Sequence, residues 1–316
     1  MWSDYPEIKE KLERVKEILK ENIKSREKFF EKELKRMIES GGKLLRPAMF
    51  IIGASFGNTS DEEDILRSAA GVELLHLGTL IHDDVIDKAS IRRGNKTIHT
   101  EYGNNTAIYM GDFLFVKAFK LISKNHEYDD VEYLARGIEE ICLGEMRQNY
   151  RRYDTEKTPR EHIRIMSGKT AALFSMSVYA GSKKTKADEN ISKILAKGAY
   201  YMGMAFQIVD DLLDFSKEEE MKKSVQKDIL EGYYTLPVIF AFKSEIGGKI
   251  KDLISHENVD IDRVKKLVEE SGSVQKTFDL AQKYTKRAIT QFEKLPNTKN
   301  REVLIEMAGS LLKRNI

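Results

Sequence analysis

The chain has 316 residues, 41% hydrophobic and 33% charged, with a formal net charge of +2. That is the composition of a soluble globular protein with enough length for a sizeable core, and it excludes a disordered chain. Basic and acidic residues are interleaved, which argues against a nucleic-acid-binding face, and the one cysteine, Cys142, excludes an internal disulfide or a cysteine metal cluster and fits a reducing, cytoplasmic interior.

From the start of the chain, Met1 to Lys20 alternates charged and apolar residues without a signal-peptide core, and Ile8, Leu12, Val15 and Leu19 mark one helical face. Only five prolines occur, none between Pro47 and Pro159, so long helices are expected. Leu66, Ala69, Ala70, Glu73, Leu74, Leu77 and Leu80 predict a more buried helix, with Asp61 as its N-cap. Further helices are expected over 139–150, 163–179 and 191–215, then around Val264, Leu267 and Val268, and around Leu304, Met307 and Leu311. Breaks are expected at Ser40-Gly41-Gly42, 57–60, Arg93-Gly94-Asn95, Gly103-Asn104-Asn105, Gly181-Ser182-Lys183 and Gly247-Gly248. No strict apolar alternation is evident, so strands should be few or absent, and no run of about 18 apolar residues suggests a membrane span. The reading is one all-α domain over 1–316.

Two acidic boxes stand out: Asp83-Asp84-Val85-Ile86-Asp87 and Asp210-Asp211-Leu212-Leu213-Asp214. Each follows an apolar helical run. Residues four apart share a helix face, so Asp83 and Asp87 point one way, as do Asp210 and Asp214. Paired carboxylates in an apolar setting protonate or need a cation, and hard oxygen donors suit Mg²⁺, which is held by one or two carboxylates plus substrate phosphates. One such box could be a solvated acidic face; two with the same spacing are harder to explain that way.

Cations that could answer a diphosphate lie close in sequence: Lys43 and Arg46 behind Gly41-Gly42, Arg92 and Arg93 after the first box, Lys169-Thr170, and Lys223 and Lys227 after the second. His76 and Gln207 sit two turns and one turn ahead of their boxes. Taken singly, each is weak: the glycine-lysine-arginine segment reads equally well as a turn and helix start, Arg92-Arg93 reads more often as surface charge, and a lone His76 reads more often as a core or boundary residue, with Gln207 similarly ambiguous. No His-Glu-x-x-His zinc spacing and no Ser-His-Asp or Cys-His arrangement is found. Arg147 to Tyr153 mixes Arg and Tyr as a nucleic-acid patch can, but reads better as a solvated helix end or an interface.

GGKLLRP at 41–47, HLGTLIHDDVIDKASIRRG at 76–94, GDFLF at 111–115, GEMRQ at 144–148, SGKTAALF at 167–174 and FQIVDDLLDF at 206–215 resemble, in order and over nearly the whole chain, the trans-isoprenyl diphosphate synthases, or polyprenyl synthetases. The resemblance implies an all-α, single-domain helical bundle around a central cavity (the isoprenoid synthase fold), a homodimer, and condensation of isopentenyl diphosphate with an allylic diphosphate. It implies two or three Mg²⁺ held by Asp83, Asp87, Asp210 and Asp214 with support from Asp84 and Asp211. Lys43, Arg46, His76 and Arg93 would bind isopentenyl diphosphate; Arg92, Lys169, Thr170, Gln207 and Lys227 would bind the allylic diphosphate. Two departures stand out: Gln226 where a glycine is common, and Tyr233 where many members carry lysine. Leu75, Gly78 and Thr79 precede the first box along the expected product tunnel. Small residues at 78 and 79 predict a product above C20, unless Gly78 only lets helices pack and Phe113, Phe115 or Phe119 closes the tunnel. The alternatives are a short-chain (farnesyl or geranylgeranyl) synthase, a subunit of a heteromeric synthase, and a terpene cyclase of the same fold.

Overall fold

The computed structural model describes residues 2–58, 61–123, 128–213, 215, 228–256 and 259–313, with the backbone alone at 128–134 and 313. Two compact units emerge, Met1–Leu134 with Ser177–Ser192, and Ala135–Met176 with Lys193–Ile316. Each is described by itself.

In the first unit, α1 (Pro6–Asn22) opens on a proline and buries Ile8, Leu12, Val15, Ile18 and Leu19 on one stripe. It is followed by α2 (Lys28–Glu39) and α3 (Leu45–Ala54). The centre of the unit is α4 (Glu62–Ile86), buried on every side from Ile65 to Ile81. Asp61 caps it as expected, accepting from the Asp64 amide at 3.1 Å, and Glu62, Glu63 and Asp64 add negative charge where the helix dipole favours it. After α4 come β1 (Ile91–Arg92) and β2 (Asn95–Lys96), an antiparallel pair joined by a two-residue turn, then α5 (Ile98–Tyr102) and α6 (Asn104–Ile122). Helices α1, α3 and α6 all pack on α4.

The second unit contains most of α7 (Tyr128–Tyr150), then α8 (Pro159–Met166), which is started by a capping box between Thr158 and Glu161. A single π-type turn, Ser167–Ala171, leads into α9 (Ala172–Lys184), and α10 (Glu189–Leu213) follows. Helices α11 (Leu236–Phe242), α12 (Gly247–Ser255), α13 (Ile261–Glu270), α14 (Ser273–Phe292) and α15 (Lys299–Ser310) complete it. Its core includes Met204, Ile208, Val209 and Leu212 of α10 against Met166, Leu236 and Ala281.

The all-α expectation holds, with two short strands among the described residues. Several details differ. The helix expected over 139–150 starts at Tyr128, and Gly247-Gly248, expected as a break, forms the first turn of α12. The helix expected over 163–179 starts four residues earlier and contains the π turn. Phe215 lies in a turn after α10. Gly181-Ser182-Lys183 is helical, not a break: a Cβ at Gly181 would stand 2.1 Å from the Phe50 carbonyl oxygen, so the glycine serves close helix packing. Among the described residues, no helix is long and apolar enough to cross a membrane.

Candidate active site

The first box sits where a helix should not want it. Asp83 and Asp84 occupy the last turn of α4, Asp87 ends the helix, and no basic residue lies in that turn. Carboxylates at a helix C-terminus oppose the dipole, each by ~0.3–1 kcal/mol at a surface. Asp84 is buried and accepts from Arg92 Nε at 2.7 Å. Burial pushes its carboxyl up, with the Arg92 guanidinium pulling the other way. Asp83 and Asp87 are half-buried.

Arg92 and Arg93 arrive on the hairpin, whose turn residues Arg93 and Gly94 have φ of 49° and 76°. Positive φ at both positions suits the twist of a tight two-residue hairpin, but Arg93 lacks glycine's freedom to adopt it. The geometry delivers the guanidinium to the GG-K-x-x-R segment: a Cβ at Gly42 would lie 3.3 Å from Arg93 Nη1. Lys43 is exposed on that loop, and Arg46 is the second residue of α3. Asp84, Arg92 and Arg93 line one cleft with Arg36, Leu77 and Leu80.

Glu73 of α4, 7% exposed, joins this basic group. Burial pushes its carboxyl up; Arg46 and Arg93 pull it down. Arg46 is pushed down to about 10 by burial, with Glu73 opposing. His76, one helical turn beyond Glu73, is held well below the usual imidazole range by burial first and then by Arg46, Arg93 and Arg92. Its ring is therefore neutral near pH 7, offering a hydrogen bond rather than a charge.

In the second box, Asp210 and Asp211 occupy the last turn of α10, again without a basic residue in that turn. Asp210 is exposed and Asp211 is 5% exposed. Asp211 Oδ2 accepts from the Leu236 amide at 3.0 Å and lies 3.0 Å from His162 Nε2; its Oδ1 accepts from Gln207 Nε2 at 3.3 Å. Gln207 Oε1 in turn accepts from Thr170 Oγ1 at 2.6 Å. Lys169, on the π turn, pairs with both carboxylate oxygens of Glu145 at 3.1 and 3.2 Å. The π turn touches α7 backbone to backbone: a Cβ at Gly168 would stand 2.5 Å from the Glu140 carbonyl oxygen. Asp214, Lys223, Gln226 and Lys227 lie outside the described residues. Tyr233 stacks on Arg152, its ring 4.7 Å from the guanidinium carbon, and Arg152 Nε donates to the Glu231 carbonyl at 2.9 Å. In the expected arginine-tyrosine patch, Arg151 pairs with Asp154 and Glu161.

Among the described residues, no group of three or more His, Cys, Asp or Glu could hold a metal alone. Asp83 and Asp87 at the end of α4 and Asp210 at the end of α10, all hard oxygen donors, fit Mg²⁺, whose remaining ligands are water and phosphate oxygen.

Near the first box, Leu75 is buried and Thr79 Oγ1 donates to the His76 carbonyl at 2.8 Å. A Cβ at Gly78 would meet the Phe115 ring of α6 at 2.6 Å, so that ring fills the space a side chain at 78 would take. Phe113 packs instead on Phe30, ring centroids 4.8 Å apart, and Phe119 is exposed.

Sequence reasoning gave Glu73 no role beyond its helix pattern and missed Glu145 and His162. Glu73 had a signal, an acid inside an apolar run three residues before His76. Glu145 stood in the GEMRQ motif. His162 had none.

The polyprenyl synthetase family model matches residues 27–271. "Heptaprenyl diphosphate synthase component 2" of Bacillus subtilis (strain 168) is 34% identical over 88% of this chain and 80% of its own length. A geranylgeranyl pyrophosphate synthase from Lactobacillus brevis superposes with a TM-score of 0.94 at 31% identity, over 99% of both chains. A polyprenyl synthase from Caulobacter crescentus, complexed with calcium and isoprenyl diphosphate, gives 0.89 at 29% identity, over 98% of this chain and 96% of its own. The fold is thus the all-α isoprenoid synthase fold.

Proposed function

Because the chain belongs to the polyprenyl synthetase family, we propose that it condenses isopentenyl diphosphate with an allylic diphosphate to give an all-trans polyprenyl diphosphate. The observation that carries this reading is the repeated helix end: Asp83 against the dipole of α4 and Asp210 against that of α10, each beside a buried, pinned middle aspartate.

Asp83, Asp87, Asp210 and Asp214 would hold two or three Mg²⁺ for the allylic diphosphate. Magnesium, when bound, would offset the negative charge that grows on the departing diphosphate. Arg92, Lys169 and Lys227 bind the same diphosphate, with Thr170 and Gln207 orienting it. Lys169 exchanges Glu145 for phosphate oxygen. Lys43, Arg46, Arg93 and neutral His76 bind isopentenyl diphosphate and aim its double bond. The allylic C–O bond breaks, the terminal carbon of isopentenyl diphosphate forms the new C–C bond, and the proton lost next passes to the released pyrophosphate. No side chain acts as a covalent nucleophile. The catalyst works as a homodimer in the cytoplasm. Ile108, Tyr109, Val116 and Phe119, exposed along α6, offer an apolar face for the second copy.

Small Gly78 and Thr79 favour a product above C20. A second reading, a shorter product, is favoured by the Phe115 ring lying over Gly78. The test is incubation of the purified chain with labelled isopentenyl diphosphate, an allylic primer and Mg²⁺. Chain elongation lost on chelation is expected; no product with any primer overturns the function. Phe115→Ala separates the two lengths: a longer product marks Phe115 as the stop, and an unchanged one rejects it.

A further inference from the structure

The strongest unassigned cluster is built around Asp211, in the interior of the second unit. Its partners come from four segments: Gln207 on its own helix, His162 from α8, the Leu236 amide at the start of α11, and Thr170 of the π turn through Gln207. Asp211 already accepts from the Leu236 amide and from Gln207, and the His162 tautomer with its hydrogen on Nε2 completes that set of donors. Nδ1 of the same ring is buried without a hydrogen-bond partner among the described residues. The imidazole is thus placed for this one bond. Lys157, 3% exposed, donates to the Tyr234 carbonyl at 3.1 Å, so the stretch 234–236 is fastened at two points.

The arrangement bears on Asp210, the described outer aspartate of the second box. Successive helical residues are turned by about 100°, so tying Asp211 to the interior presents Asp210 outward, as its exposure shows. Without the His162 donor, the buried Asp211 side chain would be short of a hydrogen bond and would turn toward another donor or toward water, which rotates or loosens the last turn of α10.

Resting on the function proposed above, we infer that His162 is a positioning residue for the second aspartate box: through Asp211 it fixes the last turn of α10 and, through Leu236, the segment leading into α11. The effect belongs to metal and diphosphate binding at this helix end, not to isopentenyl diphosphate binding.

The test uses the full chain. His162→Phe keeps the ring without the donor; His162→Asn has a donor that falls short; His162→Gln places an amide N–H near the original Nε2. Mn²⁺ affinity is measured by calorimetry with inorganic pyrophosphate present, beside kcat, KM and Leu236 amide exchange. Outer partners of metal ligands are worth about 10–100-fold, so His162→Phe and His162→Asn should weaken Mn²⁺ binding by about tenfold and lower kcat by a similar factor. KM for isopentenyl diphosphate should stay within about threefold, Leu236 exchange should quicken, and His162→Gln should recover most of the loss. If His162→Phe does not fold, His162→Asn against His162→Gln carries the comparison. Unchanged Mn²⁺ binding in His162→Asn, or equal impairment in His162→Gln and His162→Asn, overturns the inference. An inactive wild type that still shows the His162-dependent Mn²⁺ binding breaks the condensation reading and leaves the positioning intact.

Discussion

The two aspartate boxes share a spelling and a place at a helix end, yet their middle residues are satisfied by different chemistry. Asp84 rests on one guanidinium, Arg92, delivered by a hairpin, and the Arg92 side chain is 35% exposed. Asp211 is held in the interior by a backbone amide, an imidazole and a side-chain amide. A charge–charge contact near water is adjustable, whereas a buried multi-donor site is rigid and costly to disturb. The comparison teaches that two copies of one motif can satisfy equally buried middle carboxylates in different ways, one by a partly exposed guanidinium and one by interior donors.

The largest effect should fall on the outward aspartates, where the two boxes ought to behave alike. Asp83→Ala and Asp210→Ala should each lower kcat on the order of a thousandfold, as for a lost charge-stabilising group. Steady-state rates with saturating Mg²⁺ check this, and turnover retained in either variant breaks the equivalence of the boxes.

The middle aspartates should then separate them. Asp211→Ala leaves the Leu236 amide and His162 without their acceptor in the interior, at about 3 kcal/mol. Asp84→Ala leaves a guanidinium that can turn to water, at about 1 kcal/mol. Urea unfolding of both variants measures the gap; equal losses would erase the distinction between a partly exposed guanidinium and interior donors.

A smaller effect sharpens the picture of the second region. Burial pushes the Lys157 ammonium from 10.5 down to about 8. Between those values the unfolded chain binds more protons than the folded one, so this group's contribution to stability rises with pH and is lost as pH falls through about 8. Relative to Lys157→Met, the wild type should gain about 1–2 kcal/mol between about pH 7.5 and 9.5, read from urea midpoints. A constant difference would mean that Lys157 is better hydrated than its burial indicates.

Much of this protein was legible in its residues. The helix periods, the Asp61 cap, the shared face of Asp83 and Asp87 and the cations flanking the boxes follow from local rules that act over a few residues. Other features could not be read that way. Gly181 looked like a break because a glycine's neighbours across a packed interface, here the Phe50 carbonyl, are distant in the chain. Gly78 has the same ambiguity: the Phe115 ring that fills its space comes from another helix.

The sequence by itself determined the helical class and the residue types proposed to handle diphosphates, since periodicity and chemistry are local properties. Only the tertiary structure decided which of those residues are held and by what: Glu73 beside Arg46 and Arg93, Glu145 on Lys169, His162 and the Leu236 amide on Asp211. The reason is physical. A buried polar group must find its partner wherever the fold supplies one, and sequence separation carries no information about that meeting.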